Sequence, residues 1–333
     1  MNPFLDSTNV VEDRSELKHR LDREGYLFIR GLLPADVVEN LRLQILKVAQ
    51  EAGWTSRNDI HALANLDAFC AEPNPEYMDV YARMYALPDF HAIQHHPSLV
   101  GLFERIWGET VVPHPRIIGR TIFPQKEAFT TPPHQDFIPI QGTANTYTAW
   151  IPLTDLPAEM GGLQIAAGSH TRGVYELEPA MGAGGMAVVD PLEGTWVSNP
   201  FEQGDVLIFH SLAVHKGVPN RSDKLRMSMD ARYQRASEPI APGSLLPHSQ
   251  PNEWENVYSN WPTDELKYYW TKWDLQMKDY DHSYHEERDR LAFEMAERGD
   301  ETARAALDRI VARDTDASKR DRAMQLLEKF DAS

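Results

Sequence analysis

The sequence contains one His-x-Asp triplet, His134-Gln135-Asp136, in a chain of 333 residues with 13 histidines. On a β-strand, residues i and i+2 share a face, so an imidazole and a carboxylate at this spacing can reach one metal ion. Alone the triplet carries little, because roughly one is expected by chance in a chain this rich in histidine and aspartate. His285-Glu286-Glu287 offers the same two residue types, but it lies in a charge-interleaved helical stretch where i and i+2 diverge. The weight comes from residues further along: Gly204-Asp205, His210, His215, Pro219-Asn220-Arg221 and Leu225-Arg226-Met227-Ser228. A histidine followed eleven positions later by an arginine has the order of a third metal ligand and then an anion anchor. His210 and His215 are both candidates for that ligand.

Taken together, these features resemble the phytanoyl-CoA dioxygenase family of non-haem iron, 2-oxoglutarate-dependent oxygenases. The similarity runs from about Gly25 to Gln234. It rests on His134-x-Asp136, Trp150-Ile151-Pro152-Leu153, Gly161-Gly162-Leu163 to Gly168-Ser169-His170, Gly204-Asp205, His215 and Arg226-x-Ser228. The resemblance implies Fe(II) held by His134, Asp136 and His215, a facial set of two imidazoles and one carboxylate that leaves three octahedral positions open. It implies 2-oxoglutarate and O2 as co-substrates, with hydroxylation of an unactivated C–H bond and release of succinate and CO2. Arg226 then pairs with the distal carboxylate of the keto acid, for which a guanidinium has the matching fork. Ser228, two positions on, faces the same way and can donate to that carboxylate. Thr148 and Trp150 share parity on a strand whose family counterpart lines the keto-acid pocket; a plain core aromatic is the competing reading of Trp150. His170 is expected to close a loop beside the barrel, and His95 and His96 to sit at a helix end or the surface. Because Asp136 is present, hydroxylation is favoured over halogenation, while desaturation, epimerisation and ring formation use the same ligands.

Two other readings remain open at this level. A zinc hydrolase could use the same His, Asp and His with an activated water, which leaves Arg226 without a task. A non-catalytic binding module could retain the β core alone. Arg116 and Arg120 share parity on a strand ending at Phe123 and point into the core, either toward the keto acid or an anionic substrate, or into ion pairs with acids. The expected substrate contacts are Gln135, Phe137, Gln141 and Tyr147, with residues of the irregular segments Gly53 to Leu87 and Ala236 to Trp261.

These side chains need a scaffold, and the texture of the chain supplies one. Residues from Ser15 to Gly25 read as a helix, Tyr26 to Arg30 as a strand, and Pro34 to about Ala52 as a second helix. Gly53 to Leu87, interrupted by Pro73 and Pro75, reads as irregular structure with short helices. Between Val111 and Gln234 come short β-branched and aromatic runs: Arg116 to Phe123, Tyr147 to Ile151, Gly162 to Ala166, Asp205 to Phe209 and Leu225 to Tyr233. Such runs, punctuated by Gly and Pro, argue for an antiparallel sandwich or barrel. Helical, charge-interleaved stretches follow over Lys267 to Lys278, His285 to Arg298, Glu301 to Arg313 and Lys319 to Phe330. The fold class is therefore a mainly β core with flanking helices, and the resemblance makes it a double-stranded β-helix (jelly roll, cupin-like) with N-terminal and C-terminal α-helical additions. One oxygenase domain, 1–333, is expected: a helical and irregular N-terminal region over 1–110 that includes the first strand, the β core over 111–235, and a C-terminal extension over 236–333.

A net charge of −17 disfavours nucleic acid and anionic membrane surfaces as partners. The single cysteine, Cys70, permits neither an intrachain disulfide nor a multi-cysteine zinc site, and fits a reducing cytoplasmic setting. The N-terminus shows no basic segment backed by an apolar run, and no signal peptide or membrane span is expected. The acidic charge and the lack of a basic run favour a small or medium metabolite, neutral or cationic, as substrate, handled by a monomer or homodimer.

Overall fold

Asp13 accepts hydrogen bonds from the Ser15 and Glu16 amides, and Gly25, in the left-handed region at φ 78°, closes helix α1 (Arg14–Glu24). Strand β1 (Tyr26–Ile29) follows, then α2 (Ala35–Glu51), whose stripe of Val38, Leu41, Ile45 and Val48 is buried. In the segment expected to be irregular, Pro75 occupies the first turn of α3 (Pro75–Tyr85), where its missing amide costs nothing. Tyr77, Tyr81 and Tyr85 recur every four residues and line the buried face of α3. Helices α4 (Pro88–Ala92) and α5 (Pro97–Trp107) complete this layer. The computed structural model describes residues 2–56, 58–72, 74–124, 130–182, 184–248 and 253–332; Pro73 and residues 249–252 of the segment Ala236 to Trp261 lie outside them.

The β region comprises β2 (Val111–Pro113), β3 (Ile118–Ile122), a short helix α6 (Phe137–Ile140), β4 (Tyr147–Pro152) and β5 (Leu163–Ala166). It continues with β6 (Leu177–Pro179), β7 (Met186–Val188), β8 (Trp196–Val197), β9 (Val206–His210), β10 (His215–Gly217) and β11 (Arg226–Arg235). The pairings within the sheets are antiparallel. One sheet runs β1-β9-β4-β11, with β2 and β3 both pairing along the long β11; a second runs β10-β5-β8, and β6 and β7 form a hairpin.

Alternation along the strands sorts side chains onto two faces. Ala149, Ile151, Ile208, Met227, Met229 and Tyr233 enter a core shared with α1 to α5. Trp150, Leu207 and Phe209 face the other way, with Phe28, and meet Ile165 and Val197 of the second sheet. Because Asp230 lies directly opposite Trp150, and Arg232 opposite Thr148, the even-numbered residues of β11 face inward as well. The inner face is thus apolar along one stretch and polar along the rest, and the polar stretch carries the site.

Beyond the sheets come α7 (Trp254–Tyr258), α8 (Ser283–Glu297), α9 (Arg304–Arg313) and α10 (Ala317–Ala332). The last three share a small core of their own around Phe293, Leu307, Ile310 and Leu326. The stretch Lys267 to Lys278 is not the helix expected: it holds only a 3-10 turn over Tyr269–Lys272. Its successive aromatics dock on different partners, with the Tyr269 hydroxyl on the Pro113 carbonyl and Trp270 against Trp254, and one helix face cannot satisfy both. Among the described residues no helix is long and apolar enough to cross a membrane.

Candidate active site

His134 and His215 face each other as a bridge between otherwise separate segments. Each donates its backbone amide to the other's carbonyl, at 2.9 and 3.0 Å, which brings their rings to 4.1 Å between centroids. Immediately after the bridge the chain turns: Asp136 has helical dihedrals (φ −63°, ψ −24°) at the head of α6. The His-x-Asp pair therefore converges through a bridge followed by a helical turn, and the strand parity expected from spacing is not what brings them together. The ligand atoms of His134, Asp136 and His215 all lie within 4.8 Å of one another.

Each of the three is held in orientation. The Nδ1 atoms of His134 and His215 meet the carbonyls of Pro132 (2.8 Å) and Ala213 (3.1 Å), so each ring carries its proton there and turns an unprotonated Nε2 toward Asp136. Those Nε2 atoms stand 3.8 and 3.9 Å from Asp136 Oδ1, too far for hydrogen bonds and suited to sharing a central cation. The other carboxylate oxygen, Oδ2, accepts a 2.6 Å hydrogen bond from Thr148 and faces the Arg232 guanidinium at 3.5 Å. Burial, then repulsion from His215, pushes the His134 imidazole down to about 3, and burial also lowers His215. Burial alone would raise the Asp136 carboxyl, but Arg232, both imidazoles and Thr148 outweigh it and hold it below the usual carboxylate range. Two neutral imidazoles and an ionised carboxylate are the protonation states a divalent metal requires.

Arg226 and Ser228 lie side by side on the inner face, 4% and 2% exposed. Arg226 donates to the Val218 carbonyl at 2.7 Å, its Nε has no partner, and it has no carboxylate within ion-pair distance among the described residues. A buried guanidinium without a counter-ion fits an incoming carboxylate. Thr148 is placed on Asp136, as described, and Trp150 packs edge-on to Phe201 at 4.7 Å within the apolar cluster. Arg120 pairs with Glu72 (3.3 Å) and Asp230 (3.5 Å), and Arg116 donates to the Leu246 and Pro247 carbonyls.

A cavity opens beside His134 and Asp136. Of the four expected substrate contacts named singly, only Gln135 lines it, and its side chain is engaged with the main chain of Gly173, Leu212 and Tyr175; Glu72, Ser244 and His248 reach the lining from the two expected segments. Phe137, Gln141 and Tyr147 are not in the lining. Gln141 instead clasps Asp281 through both its amide atoms, and Tyr147 points to the helical side, tilted against Phe103 and Trp107 and edge-on to His210. His210 therefore faces away from His134, Asp136 and His215, because it is on the opposite parity from the inward Phe209. His96 caps α5 by accepting the Ser98 amide.

Sequence reasoning missed the cavity's charge. Its lining includes Arg116, Arg120, Arg232, Arg288, Arg309 and Arg313, against the carboxylates of Glu72 and Asp136. The absence of a basic run in the chain does not extend to space, since folding gathers arginines from β3, β11, α8 and α9. Arg116 and Arg120 were expected to point inward and do line the cavity; of the arginines missed, Arg232 had a readable signal, sharing strand parity with Arg226 and Ser228.

The phytanoyl-CoA dioxygenase (PhyH) family description matches residues 21–228. A 1-deoxypentalenic acid 11-beta-hydroxylase of Streptomyces exfoliatus is 31% identical over 266 residues, covering 74% of this chain and 90% of that protein. The Streptomyces arenae protein of the same name is 32% identical over 73% of this chain and 89% of its own length. Among solved structures, the epimerase SnoN in complex with Fe3+, alpha ketoglutarate and nogalamycin RO has a TM-score of 0.50 at 21% identity, over 70% of this chain and 87% of its own. The apo non-heme monooxygenase ThoJ has a TM-score of 0.50 at 18% identity, over 73% and 94%. At these identities the structural likeness concerns the fold.

Proposed function

The chain belongs to the phytanoyl-CoA dioxygenase family, and from that membership and the buried His134, Asp136 and His215 cluster we infer an Fe(II)- and 2-oxoglutarate-dependent dioxygenase. It hydroxylates an unactivated C–H bond of a small or medium organic metabolite, releasing succinate and CO2. The observation that carries this reading is the convergence of two neutral imidazoles and one ionised carboxylate on a common point, with a counter-ion-free arginine on the same inner face. Hydroxylation is supported by the relatives named as 1-deoxypentalenic acid hydroxylases.

Ferrous iron bound to these three side chains supplies the oxygen-activating chemistry. His134 and His215 present fixed Nε2 lone pairs, and Thr148 with Arg232 occupies Asp136 Oδ2 so that Oδ1 is the oxygen offered to the metal. Arg226 and Ser228 seat the distal carboxylate of 2-oxoglutarate, the guanidinium held in place by its bond to Val218. Ile118, Ile138 and Ile140 line the cavity and exclude water from the reacting carbon. The two main sheets constitute a double-stranded β-helix with helical additions at both ends, in one domain spanning residues 1–333. Its acidic charge and single cysteine support a cytoplasmic monomer or homodimer without nucleic-acid or membrane partners. A zinc hydrolase would leave Arg226 buried for no purpose.

The test is an anaerobic titration of metal-free protein with ferrous iron and then 2-oxoglutarate, following the visible metal-to-ligand charge-transfer band. A band in the wild type that is lost in His215→Ala is expected. No band, with tight zinc binding or no metal binding, sinks the oxygenase reading.

A further inference from the structure

The cavity's arginines are not equally provided for. Glu72 serves both Arg120 (3.3 Å) and Arg313 (3.1 Å), Arg232 faces Asp136, and Arg288 is bound by Asp289 at 2.7 Å. Two are left over. Arg116 reaches only main-chain oxygens, at Leu246 (3.3 Å) and Pro247 (2.9 Å), and Arg309 makes neither a hydrogen bond nor an ion pair among the described residues. Both are partly buried, both line the same cavity, and they come from different regions of the fold: Arg116 from the approach to β3, Arg309 from α9.

The helical unit that contributes Arg309 is fastened over the site. Gly185, at φ 65°, lies so close to α9 that a Cβ there would stand 2.9 Å from Ala306 Cα. That unit lies wholly beyond residue 228, where the match to the family description ends. Two guanidinium groups lining one cavity without an ion-pair partner among the described residues, Arg309 with only the longer-range attraction of Glu72, are costly unless an anion joins them. Arg226, assigned to the distal carboxylate of the co-substrate, is not in this lining. Ile118, Ile138, Ile140, Leu177 and Met186 give the wall an apolar share, beside polar residues such as Thr131, Ser244 and His248.

We propose that the substrate is an apolar molecule bearing an oxyanion, a carboxylate or a phosphate, that docks on Arg116 and Arg309. The C-terminal helices thereby contribute to the substrate site and select for charge. This rests on the oxygenase reading for its chemistry, while its binding test stands apart from turnover.

The experiment uses full-length protein loaded anaerobically with ferrous iron and 2-oxoglutarate. Calorimetry follows the binding of three matched probes: cyclohexaneacetate, cyclohexylmethyl phosphate and the neutral cyclohexaneacetamide. At least one oxyanion should bind about tenfold or more tighter than the amide, and Arg116→Gln and Arg309→Gln should each lower that affinity about tenfold without changing amide binding or the charge-transfer band. Arg309→Lys should restore most of the lost affinity, which separates charge from packing. The tighter of the two oxyanions identifies the group the substrate carries. The proposal is overturned if neither oxyanion binds better than the amide, if the preference survives both glutamine variants, or if the oxyanion displaces 2-oxoglutarate. Absence of the charge-transfer band would instead strike at the oxygenase reading.

Discussion

Thr148→Val removes one hydroxyl from the middle of the site and nothing else of comparable size. The wild-type hydroxyl, on a residue 1% exposed, donates a 2.6 Å bond to Asp136 Oδ2, on a residue 5% exposed. A hydrogen bond to a charged group contributes about 1.5–3 kcal/mol, and a buried one belongs in the upper half of that range. After the substitution only Arg232, at 3.5 Å, remains on that oxygen, so the carboxylate is freer to rotate and Oδ1 is less well offered to the metal. With about 1.4 kcal/mol per factor of ten, the metal dissociation constant should rise about 10- to 100-fold, the range usual for loss of a group that orients a ligand. Anaerobic competition between the protein and a chelator for Fe(II), with Mn(II) as a redox-inert check, measures it. Thr148→Ser, which keeps the hydroxyl, should stay near wild type, and unfolding midpoints of the metal-free proteins show whether packing has changed. A valine variant that binds metal within about twofold of wild type would refute the idea that Thr148 sets the carboxylate's orientation.

Arg226→Ala should weaken 2-oxoglutarate binding by about two orders of magnitude, since a charge-assisted bidentate pair contributes roughly 2–4 kcal/mol; an unchanged affinity in the charge-transfer titration removes the anchor role. His91, buried under Trp254 and Trp261 with its Nε2 on the Tyr85 carbonyl, is pushed by burial from 6.5 down to about 4. Between those values the unfolded chain holds the extra proton, so the stability His91 contributes is complete above pH 6.5 and is lost as pH falls toward 4. Urea unfolding at pH 7 and pH 5 should therefore show a loss smaller by about 2 kcal/mol in His91→Gln than in wild type, and equal losses would clear His91 of the effect. Gly185→Ala forces a side chain onto α9 at a positive φ, costing about 2 kcal/mol or more, and should expose residues 283–332 to limited proteolysis; wild-type resistance would mean that the helices are held elsewhere.

Much of the site was legible because short-range rules govern it. His134, Asp136, His215 and Arg226 stand out by type, order and spacing, and strand alternation places Arg226 and Ser228 on one face whatever the rest of the chain does. The same parity extended two residue pairs further reaches Arg232. The helix ending at Gly25 follows from the left-handed freedom of glycine, whereas Pro75, read as an interruption, opens a helix because its missing amide costs nothing in the first turn. Local pattern failed over Lys267 to Lys278, where alternating charges suggested a helix and consecutive aromatics docked on separate neighbours.

The sequence by itself determined the types and order of the residues proposed as ligands, the alternating strands that carry Arg226, Ser228 and Thr148, and the overall acidic charge. Only the tertiary structure decided how His134 and Asp136 converge, through a bridge to His215 and a helical turn, and which oxygen of Asp136 Thr148 occupies. It also decided the sign of the cavity, by bringing Arg116, Arg232, Arg309 and Arg313 to one place from positions far apart along the chain. The physical reason is range. Dihedral preference and strand parity act over a few residues and can be read along the chain, whereas an electrostatic potential sums over neighbours in space, which exist only after the chain has folded.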